Sequence, residues 1–433
     1  MILFDGPPEI RARFNPLAWS RPIWELRCGM TTLGEKIVAK VGAAEVACFV
    51  PEYMAEAYAQ QTSMKVNDLA TLGGDDLLLV NSQVKAHDFD VPATGPSEVG
   101  LNGDGEVIYA RVASEDVAKV QAAQAGADIP CPVGEFLAKA KAVLPTVKCS
   151  APTYRYIWEL VLENPEQLKA DFQAAGRCGI EGTVEQPGAI RGGKENIYVA
   201  PGAVVHPMVV LDAEHGPIYI DRDVEVHPFT RIEGPCYIGP ETVMLGTKCR
   251  EGNTIGPVCR VGGEVEESII QGYSNKYHDG FLGHAYVGEW VNLGALTTNS
   301  DLKNDYSDVS VMMDGRRPVN TGSTKVGSLI GDHTKTSIGT LFNTGAYVGS
   351  MCLILASGAP LMKHIPSFAW VQQGVVPRAV SREDAYITAR TAMGRRKRQW
   401  TEADARMWDA IYELTSPVRE VAIRRGRRLM ARR

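Results

Sequence analysis

Residues 218–244 read IYIDRDVEVHPFTRIEGPCYIGPETVM, and this stretch decides the fold of the C-terminal half. Its apolar residues recur at strict intervals of six, at Ile220, Val226, Ile232, Ile238 and Met244. Neither an α-helix nor an ordinary strand has this period. A triangular coil does, because each face takes one hexapeptide and eighteen residues complete a turn around a shared core. The stretch therefore predicts a left-handed parallel β-helix of hexapeptide repeats.

Two further runs extend the same period along the chain. They comprise Ile269, Asn275, Phe281, Val287 and Leu293, and then Ile330, Thr336, Phe342, Val348 and Ile354. Interruptions near Gly262–Glu267 and over roughly Asp301–Ser323 predict surface loops, which often form the wall of a binding site. We expect the β-helix to occupy residues 195–377.

The first 190 residues alternate short apolar runs with helical patterns, which is typical of an α/β domain with a mostly parallel sheet. The predicted strands are Met1–Phe4, Glu45–Val50, Asp76–Val80 and Glu106–Val112. The predicted helices are Arg21–Val41, Ser114–Ala125, Val133–Leu144 and one that begins at Asn164-Pro165. The glycine-rich stretch Gly176–Gly193 is expected to connect this domain, residues 1–190, to the β-helix.

Residues 378–433 are predicted to form a basic helical tail. They carry 15 Lys or Arg against 7 Asp or Glu, in a chain whose net charge is −6. Ser381-x-x-Asp384 and Thr401-x-x-Asp404 predict helix N-termini, and the apolar face that follows predicts docking on neighbouring structure; it consists of Met407, Ile411 and Leu414. A basic tail can bind nucleic acid or anionic lipid. This one has few aromatic residues and no recognition motif, which favours a solvated or docked helix.

The composition and the cysteine spacing indicate the general class of protein to which the chain belongs. The 433 residues are 45% hydrophobic and 22% charged, an ordinary balance for a globular protein. No apolar run approaches about 18 residues, and the N-terminus lacks a signal pattern. The nine cysteines are scattered without a CxxC pair. This pattern disfavours a disulfide framework or a zinc–cysteine site and favours a reducing cytoplasm.

The densest cluster of reactive side chains begins at Tyr273. Transfer of an acyl group from a thioester to an amine needs a base for the amine proton and donors for the developing oxyanion. His278 precedes the expected inward Phe281 by three positions, so its side chain should lie where it can reach a ligand. Asn292 follows fourteen positions later, nearly one coil on, so the two side chains should be close. A lone histidine is more often an ordinary surface residue, so spacing alone does not decide its role.

The same cluster resembles the bifunctional N-acetylglucosamine-1-phosphate uridyltransferase/glucosamine-1-phosphate acetyltransferase family. The similar motifs are H-x-x-[YF]-[LI]-G and N-[IL]-G-A, which read here as His278…Phe281-Leu282-Gly283 and Asn292-Leu293-Gly294-Ala295. The resemblance implies that His278 is the general base and that Asn292 binds substrate. It places acetyl-CoA beside Ala295, with Gly294 and Thr297 as neighbours. It also implies a homotrimer whose acyl-CoA sites lie between subunits, and a role in supplying UDP-N-acetylglucosamine for the cell envelope.

The N-terminal half resembles the divergent, Rossmann-like sugar nucleotidyltransferase domain found ahead of such β-helices. The segments that carry this resemblance are Leu3-Phe4-Asp5, Arg21-Pro22, Leu26-Arg27-x-Gly29, Glu35-Lys36 and Leu79-Val80-Asn81. The resemblance implies a nucleotide and a sugar 1-phosphate as substrates and Mg²⁺ as the metal. The candidate nucleotide-binding residues are Arg11, Arg13, Arg21, Lys36 and Asn81.

This domain departs from the family pattern in two places, the phosphate-binding loop and the expected metal ligand. The usual glycine-rich phosphate loop is replaced by residues 3–11, LFDGPPEIR, whose two prolines remove amide donors that would hold a triphosphate. Asn81 stands where a metal-binding aspartate is expected, and a neutral amide is a weaker Mg²⁺ ligand than a carboxylate. Asp104 is the alternative carboxylate, although its segment, Asn102-Gly103-Asp104-Gly105, fits a hairpin turn equally well.

The β-helix also departs from the family pattern. Glu266 lies where the family presents a lysine to the sugar phosphate, and a carboxylate facing a phosphate costs binding. Either the acceptor is not glucosamine 1-phosphate, or another cation supplies the charge; the candidates are Lys276, Arg316 and Arg317. Arg260 matches an arginine of the family motif, while Phe281 lacks the hydroxyl of the tyrosine often found there.

A metal site is the rival interpretation of the β-helix histidines. His278 and His284 are six positions apart, so they should lie on successive faces and cannot share one ion within a subunit.

The sequence therefore predicts a two-domain transferase. The β-helix would transfer acetyl from acetyl-CoA to an amino sugar or its phosphate, and the N-terminal domain would transfer a nucleotidyl group to a sugar 1-phosphate. One alternative is a nucleotidyltransferase whose β-helix only assembles the trimer. Another is a non-catalytic, sugar-nucleotide-binding or regulatory protein.

Overall fold

The N-terminal unit is built on a seven-stranded sheet. A computed structural model describes residues 1–124, 131–185 and 189–432. The strand order is Lys65–Val66, Ala47–Phe49, Ile2–Phe4, Leu77–Asn81, Val107–Val112, Glu98–Leu101 and Thr146–Lys148. The first four strands are parallel, whereas Val107–Val112 runs antiparallel to both of its neighbours. The predicted α/β domain and its four predicted strands are confirmed, with ends displaced by one or two residues.

Eight α-helices accompany the sheets in the described residues. They are α1 (Pro8–Arg11), α2 (Leu33–Val41), α3 (Glu52–Ala59), α4 (Ser114–Ala122), α5 (Pro132–Val143), α6 (Ile157–Ala175), α7 (Arg382–Gly394) and α8 (Glu402–Met430). Short 3₁₀ turns cover Ala12–Phe14, Leu17–Trp19, Ile23–Glu25, Leu69–Leu72, Ala86–Asp88 and Lys194–Asn196. The predicted α4 extended to Ala125, which lies outside the described residues, as does part of the predicted connection Gly176–Gly193.

Two helix predictions are wrong. The segment Arg21–Val41 is not one helix, because a hairpin of Arg27–Cys28 and Thr31–Thr32 interrupts it. Gly29 makes that turn with φ +77°, a conformation that side-chain-bearing residues rarely adopt. The helix predicted to begin at Asn164 begins at Ile157 instead and holds Pro165 in its interior.

The C-terminal half is a three-sided parallel β-helix, as predicted. Its first face stacks Gly179–Ile180, Ile197–Val199, Ile218–Ile220, Cys236–Ile238, Asn253–Ile255, Ile269–Gly272, Tyr286–Glu289, Leu329–Ile330, Tyr347–Val348 and His364–Ile365. The second stacks Thr183–Val184, Val204–Val205, Glu225–Val226, Asn275–Lys276, Lys335–Thr336, Leu353–Ile354 and Ala369–Gln372. The third stacks Ile190–Arg191, Val210–Asp212, Arg231–Glu233, Phe281–Gly283, Thr298–Asn299 and Leu341–Phe342. Two long strands, Val243–Cys249 and Arg260–Glu266, belong to both the second and the third face.

The six-residue period is confirmed in two of its three runs. Ile220, Val226, Ile232, Ile238 and Met244 all lie in the β-helix core with no exposed surface. The second run is wrong by one position over its first three members, because the inward side chains there are Ile270, Lys276 and Leu282. Ile269 points outward yet is buried, since it packs against the N-terminal unit. An outward residue that is covered by another domain looks like a core residue in the sequence.

The two predicted interruptions have different structures. Gly262–Glu267 continues the long strand Arg260–Glu266 around a corner rather than leaving the coil. The stretch from Asp301 does leave it and forms an antiparallel hairpin of Ser310–Val311 and Val319–Asn320 before the coil resumes at Leu329. Val309 and Val311 of this insertion pack in the interface with the N-terminal unit.

Polar contacts bind the N-terminal unit to the β-helix. Buried Arg21 forms an ion pair with Asp332, which also accepts a hydrogen bond from Ser20 (2.5 Å), and Arg21 lies 3.3 Å from Glu289. Asn164 of α6 accepts from the amide of Gly29 (2.6 Å) and donates to the carbonyl of Gly252 (2.8 Å). The contacts of Arg21 with Asp332 and of Asn164 with Gly252 form only when the two units are docked.

The basic tail docks on both units. Ser381 and Thr401 cap α7 and α8 as predicted. Met407 and Ile411 are buried against the N-terminal unit, but Leu414 is 52% exposed and lies over a cavity of that unit, so the predicted third member of the face is wrong. Gly426 allows α8 to approach the backbone of Val376 closely. Arg406 forms an ion pair with Glu56 and Arg396 donates to Asn275, so part of the tail charge serves intramolecular contacts.

None of the helices in residues 1–124, 131–185 and 189–432 is both long and apolar enough to cross a membrane. All nine cysteines are free thiols.

We predict that Arg21→Met lowers the free energy of unfolding by about 3–5 kcal/mol, because it leaves Asp332 buried without its cation. Urea denaturation followed by circular dichroism measures the effect. The control is Arg406→Met, which removes an exposed ion pair to Glu56 between α8 and α3 and should change stability little. Equal losses in both variants would show that the Arg21 pair is no more important than a surface contact.

Candidate active site

His278 lies in a corner that projects from the β-helix. Asn275 pairs with Arg260 and Phe281 pairs with Glu264, so this corner contains two more residues than the corner of the preceding coil. The preceding corner turns at Gly263, which has φ +70° and no side chain. The His278 corner packs closely over this glycine, since a Cβ added at Gly263 would lie 2.7 Å from the Lys276 ammonium and 2.9 Å from the Asp279 Cα.

The His278 ring is exposed and available to a ligand. Its only close aromatic neighbour in the described structure is Tyr277, at 5.0 Å between ring centroids. None of the described residues forms a hydrogen bond with its ring nitrogens. On the following coil, the amide of Leu296 donates to the carbonyl of Asp279 (2.8 Å), which aligns Ala295 with His278 on adjacent coils.

Asn292 lies beside a different partner from the one expected. It pairs with Asn275, whose side-chain amide donates to the Asn292 Oδ1 (3.2 Å). Arg396 of the tail donates to the Asn275 Oδ1 (3.1 Å). We expected Asn292 to lie next to His278. Adjacent coils here pair residues that are seventeen positions apart rather than fourteen, so Asn292 lies next to Asn275 instead. The Asn292 side chain is exposed. It lies three positions before Ala295, the residue that is aligned with His278.

Two of the residues expected beside acetyl-CoA are engaged in coil stacking. The Thr297 side chain is buried and its hydroxyl lies 2.8 Å from that of Thr336. The Gly294 amide donates to the same Thr336 hydroxyl (2.9 Å). Thr297 therefore does not offer its side chain to a ligand, whereas half-buried Ala295 lies at the surface.

The expected cations donate hydrogen bonds to backbone carbonyls. Lys276 is buried, and its ammonium donates to the carbonyls of Gly262 (3.1 Å) and His278. Burial lowers the pKa of Lys276 to about 8. Arg260 donates to the carbonyls of Glu241 (2.9 Å) and Cys259 (2.8 Å). The Lys276 ammonium is therefore committed to the coil, whereas Arg260 is held through its Nη1 alone.

Glu266 is neutralised by two cations that the sequence did not single out. Arg250 lies 2.7 Å and Lys325 3.2 Å from its carboxylate. Arg250 lies one coil earlier, sixteen positions back, so counting back by one coil would have found it. Lys325 closes the insertion, which has no periodicity to place it. Arg316 and Arg317 are exposed at the tip of that insertion.

Phe281 is half-buried and its ring covers Gly283, where an added Cβ would meet the ring at 2.4 Å. It provides an apolar surface next to the His278 corner.

His284 is buried between two carboxylates and is held away from any shared site with His278. Its Nδ1 lies 2.8 Å from Asp301 and its Nε2 3.2 Å from Glu267. Burial alone would lower the pKa of His284, but the hydrogen bonds to the two carboxylates raise it to about 9. The residue is thus a structural cation that ties the insertion to the coil.

A cavity of about 750 Å³ opens at the carboxyl ends of the central parallel strands of the N-terminal unit. Ligands of open α/β sheets bind in this position. Its lining is mainly apolar and includes Pro7, Pro8, Ile10, Phe49 and Leu137. The prolines belong to the segment that replaces the glycine-rich loop, and α1 is formed there instead.

Asp5 and Asn81, two polar residues of this cavity, are engaged with other protein groups. The buried Asp5 carboxylate accepts from Arg11 (3.0 Å), from the Ser82 hydroxyl (2.8 Å) and from the amide of Ile23 (3.1 Å). Asn81 donates to the Val107 carbonyl (3.1 Å). Burial raises the pKa of Asp5, while Arg11 opposes that shift. Asp5 and Asn81 do not fit a Mg²⁺ site, because the Asp5 carboxylate is already paired and Asn81 has no carboxylate.

The other expected nucleotide partners lie elsewhere. Lys36 forms an ion pair with Asp171 of α6, and Arg21 belongs to the interface with the β-helix. Arg13 lies over the ring of Tyr156, 5.7 Å from its centroid. Asp104 is exposed in the hairpin between Glu98–Leu101 and Val107–Val112, where the hairpin alternative is confirmed. Of the set, only Arg11 and Asn81 line the cavity.

The fold joins an α/β domain, with a cavity at its strand ends, to a parallel β-helix that carries the exposed His278. Residues 1–177 match the family model described as sugar nucleotidyl transferase.

The curated relatives confirm the resemblance to the bifunctional family. The chain is 32% identical over 151 residues to a bifunctional sugar-1-phosphate nucleotidylyltransferase/acetyltransferase of Sulfurisphaera tokodaii, a match that covers 32% of this chain and 35% of the relative. It is 34% identical over 125 residues to the bifunctional protein GlmU of Methanocaldococcus jannaschii, covering 29% and 28% of the two chains. The GlmU of Acidovorax ebreus is 31% identical over 116 residues, covering 26% and 21%. The matched part thus spans about a third or less of each relative.

We predict that the His284 ion pairs make stability fall at alkaline pH. The histidine has a pKa of 6.5 when unperturbed and about 9 in the fold, so its stabilisation is fully present below pH 6.5 and is lost as the pH rises through 9. The shift corresponds to about 3 kcal/mol. Urea denaturation of the protein and of His284→Gln between pH 6 and 10 measures the difference. Buried lysines titrate equally in both proteins and cancel, so parallel curves for the two would contradict the assignment.

Proposed function

We propose that the β-helix transfers an acetyl group from acetyl-CoA to the amine of an amino sugar, with His278 as general base. The observation that carries this proposal is the alignment of the exposed His278 with the half-buried Ala295 on the adjacent coil. The His278 ring is exposed, and none of the described residues forms a hydrogen bond with it. This suits a residue that must accept a substrate proton. The named activity of the Sulfurisphaera relative supports the same reaction class.

The chemistry needs one donor for the oxyanion, and Ala295 is suited to supply it. The neighbouring amides of Gly294, Leu296 and Thr297 all donate within the coil stack. In the described structure the Ala295 amide has no such partner. A hydrogen bond from it to the thioester oxygen would stabilise the tetrahedral intermediate.

The proposed step is direct attack. The amine nitrogen attacks the thioester carbonyl as His278 removes its proton, the new C–N bond forms and the C–S bond breaks. The proton held on His278 then passes to the departing CoA thiolate. Because Lys276 and Arg260 are engaged and Glu266 is already paired, the acceptor need not carry a phosphate beside the base; a free, phosphorylated or nucleotide-linked amino sugar remains within the proposal.

We propose that the working form is a homotrimer, in which a neighbouring copy completes the acetyl-CoA groove. Large apolar side chains are exposed at coil corners in two pairs. Met208 (65%) and Phe229 (75%) lie four and three coils before His278, and Leu296 (60%) and Ile338 (72%) lie on the two coils after it. Exposed apolar side chains of this size favour burial by a partner.

Nucleotidyl transfer to a sugar 1-phosphate is a second candidate function, supported by the family match over residues 1–177. The cavity at the strand ends has the right position for a nucleotide. Its apolar lining and the Asp5–Arg11 ion pair argue for binding without turnover.

We predict that His278→Ala lowers acetyl transfer at least about 100-fold, since general-base catalysis contributes about that much or more. Release of CoA thiol from acetyl-CoA is followed with a panel of amino sugars, their 1-phosphates and their nucleoside diphosphate conjugates. His215→Ala, an exposed histidine elsewhere on the β-helix, is the matched control and should retain full activity. Thiol release that is equal in both variants would refute the role of His278.

For the second candidate, we predict no release of pyrophosphate from nucleoside triphosphates with a sugar 1-phosphate and Mg²⁺, because the phosphate loop is lost. A coupled pyrophosphate assay on the whole chain tests this expectation. Pyrophosphate release that persists in His278→Ala and disappears in Asp5→Asn would instead make the N-terminal unit an active nucleotidyltransferase.

A further inference from the structure

A cluster of histidines and carboxylates lies on the β-helix, remote from His278. Parallel pairing places His206 and His227 on adjacent coils, because Val205 pairs with Val226. Their rings are 5.3 Å apart between centroids. Glu225 lies on the same coil as His227, three coils before His278, or roughly 14 Å at about 4.8 Å per coil. The cluster therefore belongs to neither site described above.

The nitrogen and oxygen atoms of this cluster converge. Glu225 Oε1 lies 3.1 Å from His206 Nε2 and 3.3 Å from His227 Nε2. All three potential ligand atoms lie within 4.8 Å of one another. A tetrahedral Zn²⁺ with bonds of about 2.0–2.1 Å holds its ligands about 3.3–3.4 Å apart. Two of the three separations are already close to that value, so small side-chain movements would complete the arrangement.

A fourth side chain is placed as an outer partner of such a site. Glu185 lies 3.1 Å from the Nδ1 of His206, the ring nitrogen opposite to the one that faces Glu225. Histidines that bind metals usually donate their other ring N–H to a carboxylate, which fixes the tautomer and the ring orientation. The arrangement Glu185–His206 follows that pattern and presents the Nε2 lone pair of His206 to the centre of the cluster.

We propose that His206, Glu225 and His227 bind one Zn²⁺, with Glu185 orienting His206 and a water at the fourth position. Two imidazoles and one carboxylate suit zinc better than Mg²⁺, which requires oxygen ligands in octahedral geometry. Each side chain is partly exposed, so the ion can enter from solvent. The proposed zinc site consists only of β-helix side chains remote from His278. It therefore does not depend on whether the β-helix transfers acetyl groups.

The proposal is tested by zinc binding to the whole chain with Cys131→Ser and Cys178→Ser, which removes the two exposed thiols as competing ligands. After dialysis against EDTA, titration calorimetry and elemental analysis should give one Zn²⁺ per chain and no binding of Mg²⁺. His206→Ala and His227→Ala should each weaken the affinity at least tenfold, and Glu185→Gln about tenfold. X-ray absorption should show two imidazole nitrogens at about 2.0–2.1 Å.

His215→Ala is the matched control, an exposed histidine on the same β-helix that should leave the affinity unchanged. Because all the substituted side chains are at the surface, the zinc-free variants should keep their melting temperatures. Zinc should raise the melting temperatures of the parent and of His215→Ala equally, and those of His206→Ala and His227→Ala less. Binding that is unaffected in the double variant His206→Ala/His227→Ala would overturn the proposal. So would a parent protein whose melting temperature and elemental content do not respond to zinc, which would leave the cluster as a set of ion pairs.

Discussion

A single column of β-branched side chains holds the register on which the rest of the structure depends. It runs through the β-helix core along the first face and consists of Val199, Ile220, Ile238, Ile255, Ile270, Val287, Ile330, Val348 and Ile365. Each of these side chains is at most 1% exposed. A slip of one residue would turn all of them outward, at a cost of about 1.5–3 kcal/mol apiece. The column therefore fixes which residues meet at every corner, including His278 and Ala295.

The sequence predicted this fold well wherever one side of a strand faces the core and the other faces solvent. The run from Ile220 to Met244 meets that condition, and its period is visible. The run from Ile269 does not, because the N-terminal unit covers its outer side and makes both faces apolar. The helix predicted over Arg21–Val41 fails for a related reason, since that segment is shaped by docking on the β-helix through Arg21 and the turn at Gly29.

The exposed position of His278 was predictable from the sequence, whereas the contacts around it were less so. His278 and Ala295 follow from a motif that is local in sequence. Asn292 was assigned the wrong neighbour because the coil length varies from turn to turn and spacing cannot supply it. The ion pairs of Glu266 with Arg250 and Lys325 need the path of the insertion, which no periodicity encodes. The loss of the phosphate loop, by contrast, could be predicted from Pro7 and Pro8 alone, because proline has no amide hydrogen to donate.

A stack of parallel strands always ends in an unpaired edge that can recruit another chain. Here the last strand of the second face, Ala369–Gln372, folds back on the antiparallel strand Val375–Ala379, and α8 lies across that strand. Reversal of direction and a covering helix both interrupt the pattern that a further coil would need. The tail is thus the device that stops the coil from growing by end-to-end addition, and loss of residues 375–430 would convert a closed molecule into one prone to fibrous self-association.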